Sequence, residues 1–143
     1  MSKNSLQSFI EHASAKGRIG FGDVRRLQRD VLPDGISSRE EADLLIALDR
    51  DIVRQDRAWI DWLVGALVDY LVWGERPVGH VTADKADWVT AALDGGGRAT
   101  RNARLIAREI VREAQSSHET LVEFSVGSTA SEDHPAAVAA ATG

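Results

Sequence analysis

Residues 57–73 constrain the fold of this chain more than any other segment. In helical register, apolar side chains cover most of the circumference, and only Asp61, Gly65 and Asp69 form a narrow polar strip. A helix that is apolar nearly all round is covered by neighbours on several sides. The two aspartates interrupt the apolar stretch, which is also shorter than the ~20 residues that a membrane span needs. We therefore predict a central helix over about 57–73, with the other helices around it.

Five further segments combine helical spacing of apolar residues with helix-capping residues. They cover about 5–16, 23–31, 37–54, 82–94 and 99–115. No segment of useful length alternates between apolar and polar residues, which is the pattern of a half-buried β-strand. We therefore predict an all-α fold, a compact bundle of five to six helices around the central helix.

The C-terminal residues differ in composition from the rest of the chain. From Ser125 onward, Ala, Ser, Thr and Gly dominate, and large apolar side chains are too few to offset the entropy of ordering the chain. The predicted organisation is a single helical domain over 1–124 and a flexible, disordered tail over 125–143.

Within the central helix, we expect Trp62 and Leu67 to be close to fully buried. The four tryptophans, Trp59, Trp62, Trp73 and Trp88, have spacings that are more typical of a core than of a ligand-stacking wall.

The composition excludes several classes of chemistry. The chain has no cysteine, which rules out disulfides, thiolate nucleophiles and Cys-ligated metals. No Walker-type phosphate loop and no paired histidine metal motif is present. The net charge of -5 disfavours nucleic acid as a partner. We predict a non-enzymatic cytoplasmic protein without a cofactor.

A short internal repeat consists of a glycine, an apolar residue and a helix cap in succession, and its three copies lie near Gly17, Gly35 and Gly79. This unit looks like the second half of an EF-hand calcium loop, and we interpret all three copies as structural joints. Around Gly35, Asp30, Asp34 and Glu41 fall at ligand positions 1, 5 and 12, but an apolar residue occupies position 3. A divalent-cation site is the alternative interpretation, with the candidate ligands Asp30, Asp34, Glu40 and Glu41.

The stretch 32–42 resembles TerB-like domains, which are all-helical bacterial domains associated with tellurite resistance. The shared motif is an Asp-Gly turn before a helix that starts Ser-x-x-Glu, and the general layout extends over about 17–94. The resemblance implies a stress-related or regulatory role, with a metal-stress or membrane-associated partner. The family's acidic, metal-linked positions match Asp34 and either Glu40 or Glu41.

Cationic charge is concentrated in one helical segment, at Arg101, Arg104, Arg108 and Arg112. Like charges four residues apart on a helix repel each other, so we expect another group to offset the repulsion. One interpretation is intramolecular, with acidic residues such as Glu40, Glu41 and Asp43, or the acidic tail, lying across the arginines. The other is an anionic partner, since the arginine fork binds carboxylates and phosphates in bidentate fashion.

The functional hypothesis is a non-enzymatic stress-related or regulatory interaction module of the TerB-like type. Its expected partner is another protein or a second copy of the chain. A peripheral membrane contact stays open, although no feature favours it. The alternative hypothesis is a divalent-cation-binding protein that uses the degenerate EF-hand-like loop Asp30–Glu41.

Overall fold

The computed structural model describes residues 2–97 and 99–133. Seven helices lie in this part of the chain: α1 Ser2–Lys16, α2 Phe21–Arg26, α3 Arg39–Asp51, α4 Arg57–Val68, α5 Ala83–Asp94, α6 Arg101–Glu113 and α7 Glu119–Asp133. Wider π-helical turns extend α2 over Leu27–Val31 and α4 over Asp69–Gly74. The prediction of an all-α bundle around a central helix is confirmed, with seven described helices in place of the predicted five to six because α7 extends into the predicted tail.

Short polar side chains fix the starts of four helices. Ser38, Asp56, Thr82 and Thr100 stand immediately before α3, α4, α5 and α6, and each side chain accepts a hydrogen bond from a backbone N–H of the first turn. These bonds satisfy donors that would otherwise have no partner within the helix. The beginnings of these helices are therefore encoded locally.

Four strands of two residues each lie between the helices in the described residues, and they form two pairs. No sequence pattern predicted them. Strand β1 (Arg18–Ile19) pairs in parallel with β2 (Arg54–Gln55), and β3 (His80–Val81) pairs in parallel with β4 (Ser116–Ser117). Two residues are too short to give an alternating pattern. Gly17 and Gly79 precede β1 and β3 with φ of 73° and 86°, a region that favours glycine.

The same order of elements occurs twice in the chain. In each half, a helix, a glycine, a short strand and a second helix are followed by a third helix, the partner strand and a fourth helix. Helix α4 ends the first half and begins the second. Two of the three glycine units, at Gly17 and Gly79, therefore correspond to a repeated helix–strand–helix geometry, whereas the unit at Gly35 leads into α3 without a strand.

Helix α4 lies at the centre of the core and packs against α2 and α6. Leu67 is 1% exposed, as predicted. Trp62 is only half-buried, so the prediction of near-complete burial is wrong for this residue. It lies beside the polar strip, on the side of α4 that meets the turn at 33–35, and Trp59 is the fully buried tryptophan instead. None of the described helices is long and apolar enough to cross a membrane.

A buried carboxylate connects the central helix to two others. One oxygen of Asp49 on α3 accepts hydrogen bonds from the Trp59 indole, the Gln55 amide and the Asn102 amide, each at 2.9 Å. A buried carboxylate with three donors is satisfied, and it holds α3, α4 and α6 in one arrangement.

Helix α7 extends beyond the predicted domain boundary at 124. It packs against α5 and α6, and Leu121, Phe124 and Ser125 are buried. The Ser125 hydroxyl donates to the carbonyl of Val122 at 2.7 Å, so this serine lies within the packed helix. The helix continues to Asp133. The remainder of the predicted tail, 134–143, lies outside the described residues.

Candidate functional site

The four candidate metal ligands have separate local environments. Asp30 lies in the π-helical turn after α2, and Asp34 is exposed in the following turn. Glu41 accepts the N–H and the hydroxyl of Ser37 at 2.8 and 3.0 Å, so its carboxylate binds the segment just before α3. Glu40 is exposed. Among the described residues, no group of three or more His, Asp or Glu side chains is arranged to hold a metal ion.

The four arginines of α6 do not form one exposed stripe. Arg104 is buried, and its guanidinium carbon lies 6.0 Å from the ring centre of Phe124 on α7. Arg101, Arg108 and Arg112 are exposed, and Arg112 pairs with Glu109 at 3.3 Å. The four arginines are not all exposed because α7 packs along α6 and covers Arg104.

Buried polar contacts surround residues 73–78, the end of the π-helical turn and the segment that follows it, here called the 73–78 loop. Lys85 on α5 is 1% exposed, and its ammonium group donates to the carbonyls of Leu71, Glu75 and Pro77 at 2.8, 2.8 and 2.9 Å. All three donors of the lysine are therefore used. Burial lowers the pKa of Lys85.

A second set of bonds holds the 73–78 loop from the side of α3. Arg39 donates through Nε and Nη2 to the two carboxylate oxygens of Glu75, at 2.7 and 2.8 Å. The Tyr70 hydroxyl donates to Glu75 at 2.7 Å, and Arg39 also reaches Asp84 at 2.8 Å. The Arg39 guanidinium lies 5.0 Å from the ring centre of Trp88. Bidentate pairing and stacking together leave Arg39 little freedom to move.

These contacts shift the proton affinities of the groups involved. The hydrogen bonds from Arg39, and then from Tyr70, hold the pKa of Glu75 below its usual value of 4.5. Burial, and then the bond to Glu75, raises the pKa of Tyr70 to about 12. The ionised form of Glu75 is therefore the form that the folded protein stabilises.

The outer side of the 73–78 loop is largely apolar. Trp73 is 42% exposed, Val78 is 51% exposed, and Pro77 and Arg76 are also exposed. The peptide bond between Arg76 and Pro77 is cis. The loop thus combines a backbone that is fixed from inside with apolar side chains that face solvent, an arrangement suited to binding another surface.

The sequence patterns do not single out this loop, because most of it lies between the predicted helices over 57–73 and 82–94. One signal was present. Lys85 is spaced four and eight residues before Val89 and Leu93, so it falls on the apolar row of α5. A lysine in register with buried residues predicts a buried ammonium group that needs carbonyl or carboxylate partners.

Changing Glu75 to Gln should give a pH-dependent loss of stability. The pKa of Glu75 is depressed in the folded state, so its contribution is fully present above pH 4.5 and is lost as the pH falls through the folded value. At pH 7 we expect Glu75→Gln to cost ~1.5–3 kcal/mol, the range for hydrogen bonds to a charged group. Urea unfolding from pH 7 to pH 3 should show the wild type and the variant converging.

The matched control is Asp84→Asn, because Asp84 accepts from the same arginine but its side chain is 81% exposed. This variant should differ little from the wild type at every pH, since exposed ion pairs contribute little. A stability difference for Glu75→Gln that stays constant from pH 7 to pH 3 would contradict the assigned role of the carboxylate.

Comparison with known proteins gives no relative for this fold or this site. No family model, no curated protein and no solved structure matches the chain.

Proposed function

We propose that this chain is a non-enzymatic interaction module and that the 73–78 loop is its contact surface for a partner protein. The observation that carries the proposal is the exposure of Trp73 and Val78 on a loop whose carbonyls are held by the buried Lys85. The stress-related or regulatory setting is the part of the proposal that rests on the TerB-like resemblance.

The 73–78 loop is held in place before any partner binds. Binding is weakened by the entropy lost when loops and side chains become ordered, and a loop that is already fixed loses less. A buried lysine is costly unless every donor is satisfied, so its use beneath a surface loop favours a role for the shape of that loop. Tryptophan is among the residues that most often dominate the binding energy of protein interfaces. The expected partner therefore offers an apolar groove that accepts Trp73 and Val78.

The alternative of divalent-cation binding through the Asp30–Glu41 loop has less support. Its proposed last ligand, Glu41, already accepts two hydrogen bonds from Ser37. A cation would have to compete with these bonds.

The proposal is tested by introducing a photo-crosslinking amino acid at Val78 in the cells from which the chain comes. The matched control position is Val53, which is 88% exposed but lies outside the loop. We expect one discrete adduct from position 78 and none from position 53. The adduct identifies the partner, which is then purified for binding measurements without the crosslinker. Trp73→Ala should weaken its binding to that partner by ~2 kcal/mol or more, about thirtyfold. Equal adducts at both positions, or unchanged affinity after Trp73→Ala, would refute the proposal.

A further inference from the structure

An open depression with cationic walls, here called the basic depression, lies along α2. It has a volume of about 470 Å3, and its lining includes Phe21, Arg25, Arg26, Arg29 and Asp30. Phe21 is 57% exposed, and the guanidinium of Arg25 lies 5.9 Å from its ring centre. None of the three arginines forms an ion pair within the described residues. The depression therefore offers a large aromatic surface beside unneutralised positive charge.

A second open depression, here called the acidic depression, has the opposite charge. It has a volume of about 440 Å3, and its lining includes Asp34, Asp61, Trp62, Gly65 and Asp69. No basic side chain lines it, and within the described residues none of the three aspartates has an ion-pair partner. The polar strip of the central helix is thus one wall of this surface, and the half-buried Trp62 lies beside it.

The two depressions are neighbours on the molecule. Asp30 lines the basic depression, and Pro33, three residues later, lines the acidic one. Three successive Cα–Cα steps span at most about 11 Å. Although they are this close, the two sets of charges form no ion pair with each other in the described part of the chain.

We propose that a second copy of this chain covers both depressions, in a symmetric dimer in which each basic depression meets the acidic depression of the other protomer. Because the depressions adjoin, a two-fold axis near residues 30–33 would form both contacts at once. Phe21 of one protomer would then meet Trp62 of the other, and the arginines would face the aspartates. The basic depression carries three arginines and one aspartate, and the acidic depression carries three aspartates and no basic side chain. This opposite charge on adjoining surfaces favours a second copy over an unrelated partner.

The expected dimer is weak and sensitive to salt. Exposed ion pairs contribute little individually, and salt screens them. The net charge of -5 also opposes the approach of two copies, so association depends on the local match of charge. These surfaces share no residue with the 73–78 loop, so Trp73→Ala should leave the association unchanged.

The test is a charge swap, followed by sedimentation velocity of the full chain at low salt. The wild type should give a mass close to twice 15.5 kDa, and it should dissociate at high salt. Arg25→Glu with Arg29→Glu should weaken association by about tenfold or more, because like charges then face each other. Asp61→Arg with Asp69→Arg should do the same. An equimolar mixture of the two double variants should restore the dimer, since both contacts become complementary again.

The control is Arg101→Glu with Arg108→Glu on α6. It changes two exposed arginines outside both depressions, and it gives the same net charge as the Arg25/Arg29 variant, because two charge reversals lower -5 by four to -9. This variant should associate far more strongly than the Arg25/Arg29 variant. Thermal melting confirms that each variant is folded.

Several results would overturn the proposal. A wild type that is monomeric at low salt and high protein concentration would do so, even if it bound an acidic peptide or anionic vesicles through Arg25 and Arg29. A dimer that survives both double reversals would also overturn it. So would a mixture of the two variants that fails to reassociate, or assemblies that grow beyond the dimer.

Discussion

Replacing Lys85 by Met should lower the free energy of unfolding by about 2–6 kcal/mol, because the carbonyls of Leu71 and Glu75 each lose this donor at about 1–3 kcal/mol. The carbonyl of Pro77 still accepts from the N–H of His80 at 3.3 Å. Methionine keeps the length and the apolar stem of lysine, so the loss of packing is small. What disappears is the ammonium group that joins the carbonyls of Leu71, Glu75 and Pro77. Urea unfolding measures the loss, and hydrogen exchange of the amides in the 73–78 loop should increase.

The matched control is Lys16→Met, because Lys16 makes its ion pair with Asp23 at the surface. That change should cost less than ~1 kcal/mol, as for other exposed pairs. Equal losses for the two lysines would show that the buried ammonium group has no special structural role.

The lowered pKa of Lys85 adds a pH signature to this prediction. The pKa of Lys85 is lowered in the folded state from its ordinary value of 10.5. At pH values between these two pKa values, the unfolded chain binds more protons at Lys85 than the folded chain does. Stability increases with pH wherever the unfolded state binds more protons. The stability difference between the wild type and Lys85→Met should therefore grow as the pH rises through this window.

Replacing Leu67 by Ala should cost ~2–5 kcal/mol, the sum of the lost transfer free energy and the cavity that remains. Leu67 is 1% exposed on α4, which packs against α2 and α6. Neighbours on several sides are fixed by other contacts, so the space cannot close easily. Denaturant unfolding with an unchanged m-value would report a loss of stability without a change of fold.

Leu105→Ala on α6 is the control for the same chemical change, because Leu105 is only half-buried and lines an open depression. It should cost clearly less than Leu67→Ala. A neutral Leu67→Ala variant would mean that α4 is not the centre of the core.

Much of the fold could be predicted because the signals for a helix, which are its cap and its apolar spacing, lie within a short stretch of sequence. Hydroxyl residues before amphipathic segments indicated the starts of two helices, with Thr82 before α5 and the adjacent Ser37 and Ser38 before α3, where Ser38 is the cap. The near-continuous apolar surface of residues 57–73 also placed α4 at the centre, since no other position would bury it. The candidate site was less accessible, because its main members, Arg39, Glu75 and Lys85, are 10 to 46 residues apart in the chain.

Periodicity, capping and backbone freedom act within a few residues, so local patterns were enough to predict the helical class, the central helix and the glycine joints. Which of several similar side chains is buried depends on long-range packing instead. Trp59 rather than Trp62 is enclosed, and Arg104 is covered while Arg101 and Arg108 stay in solvent. A side chain on a helix is buried only where another element packs against that side of the helix. That element can come from a distant part of the chain, as α7 does where it covers Arg104 on α6.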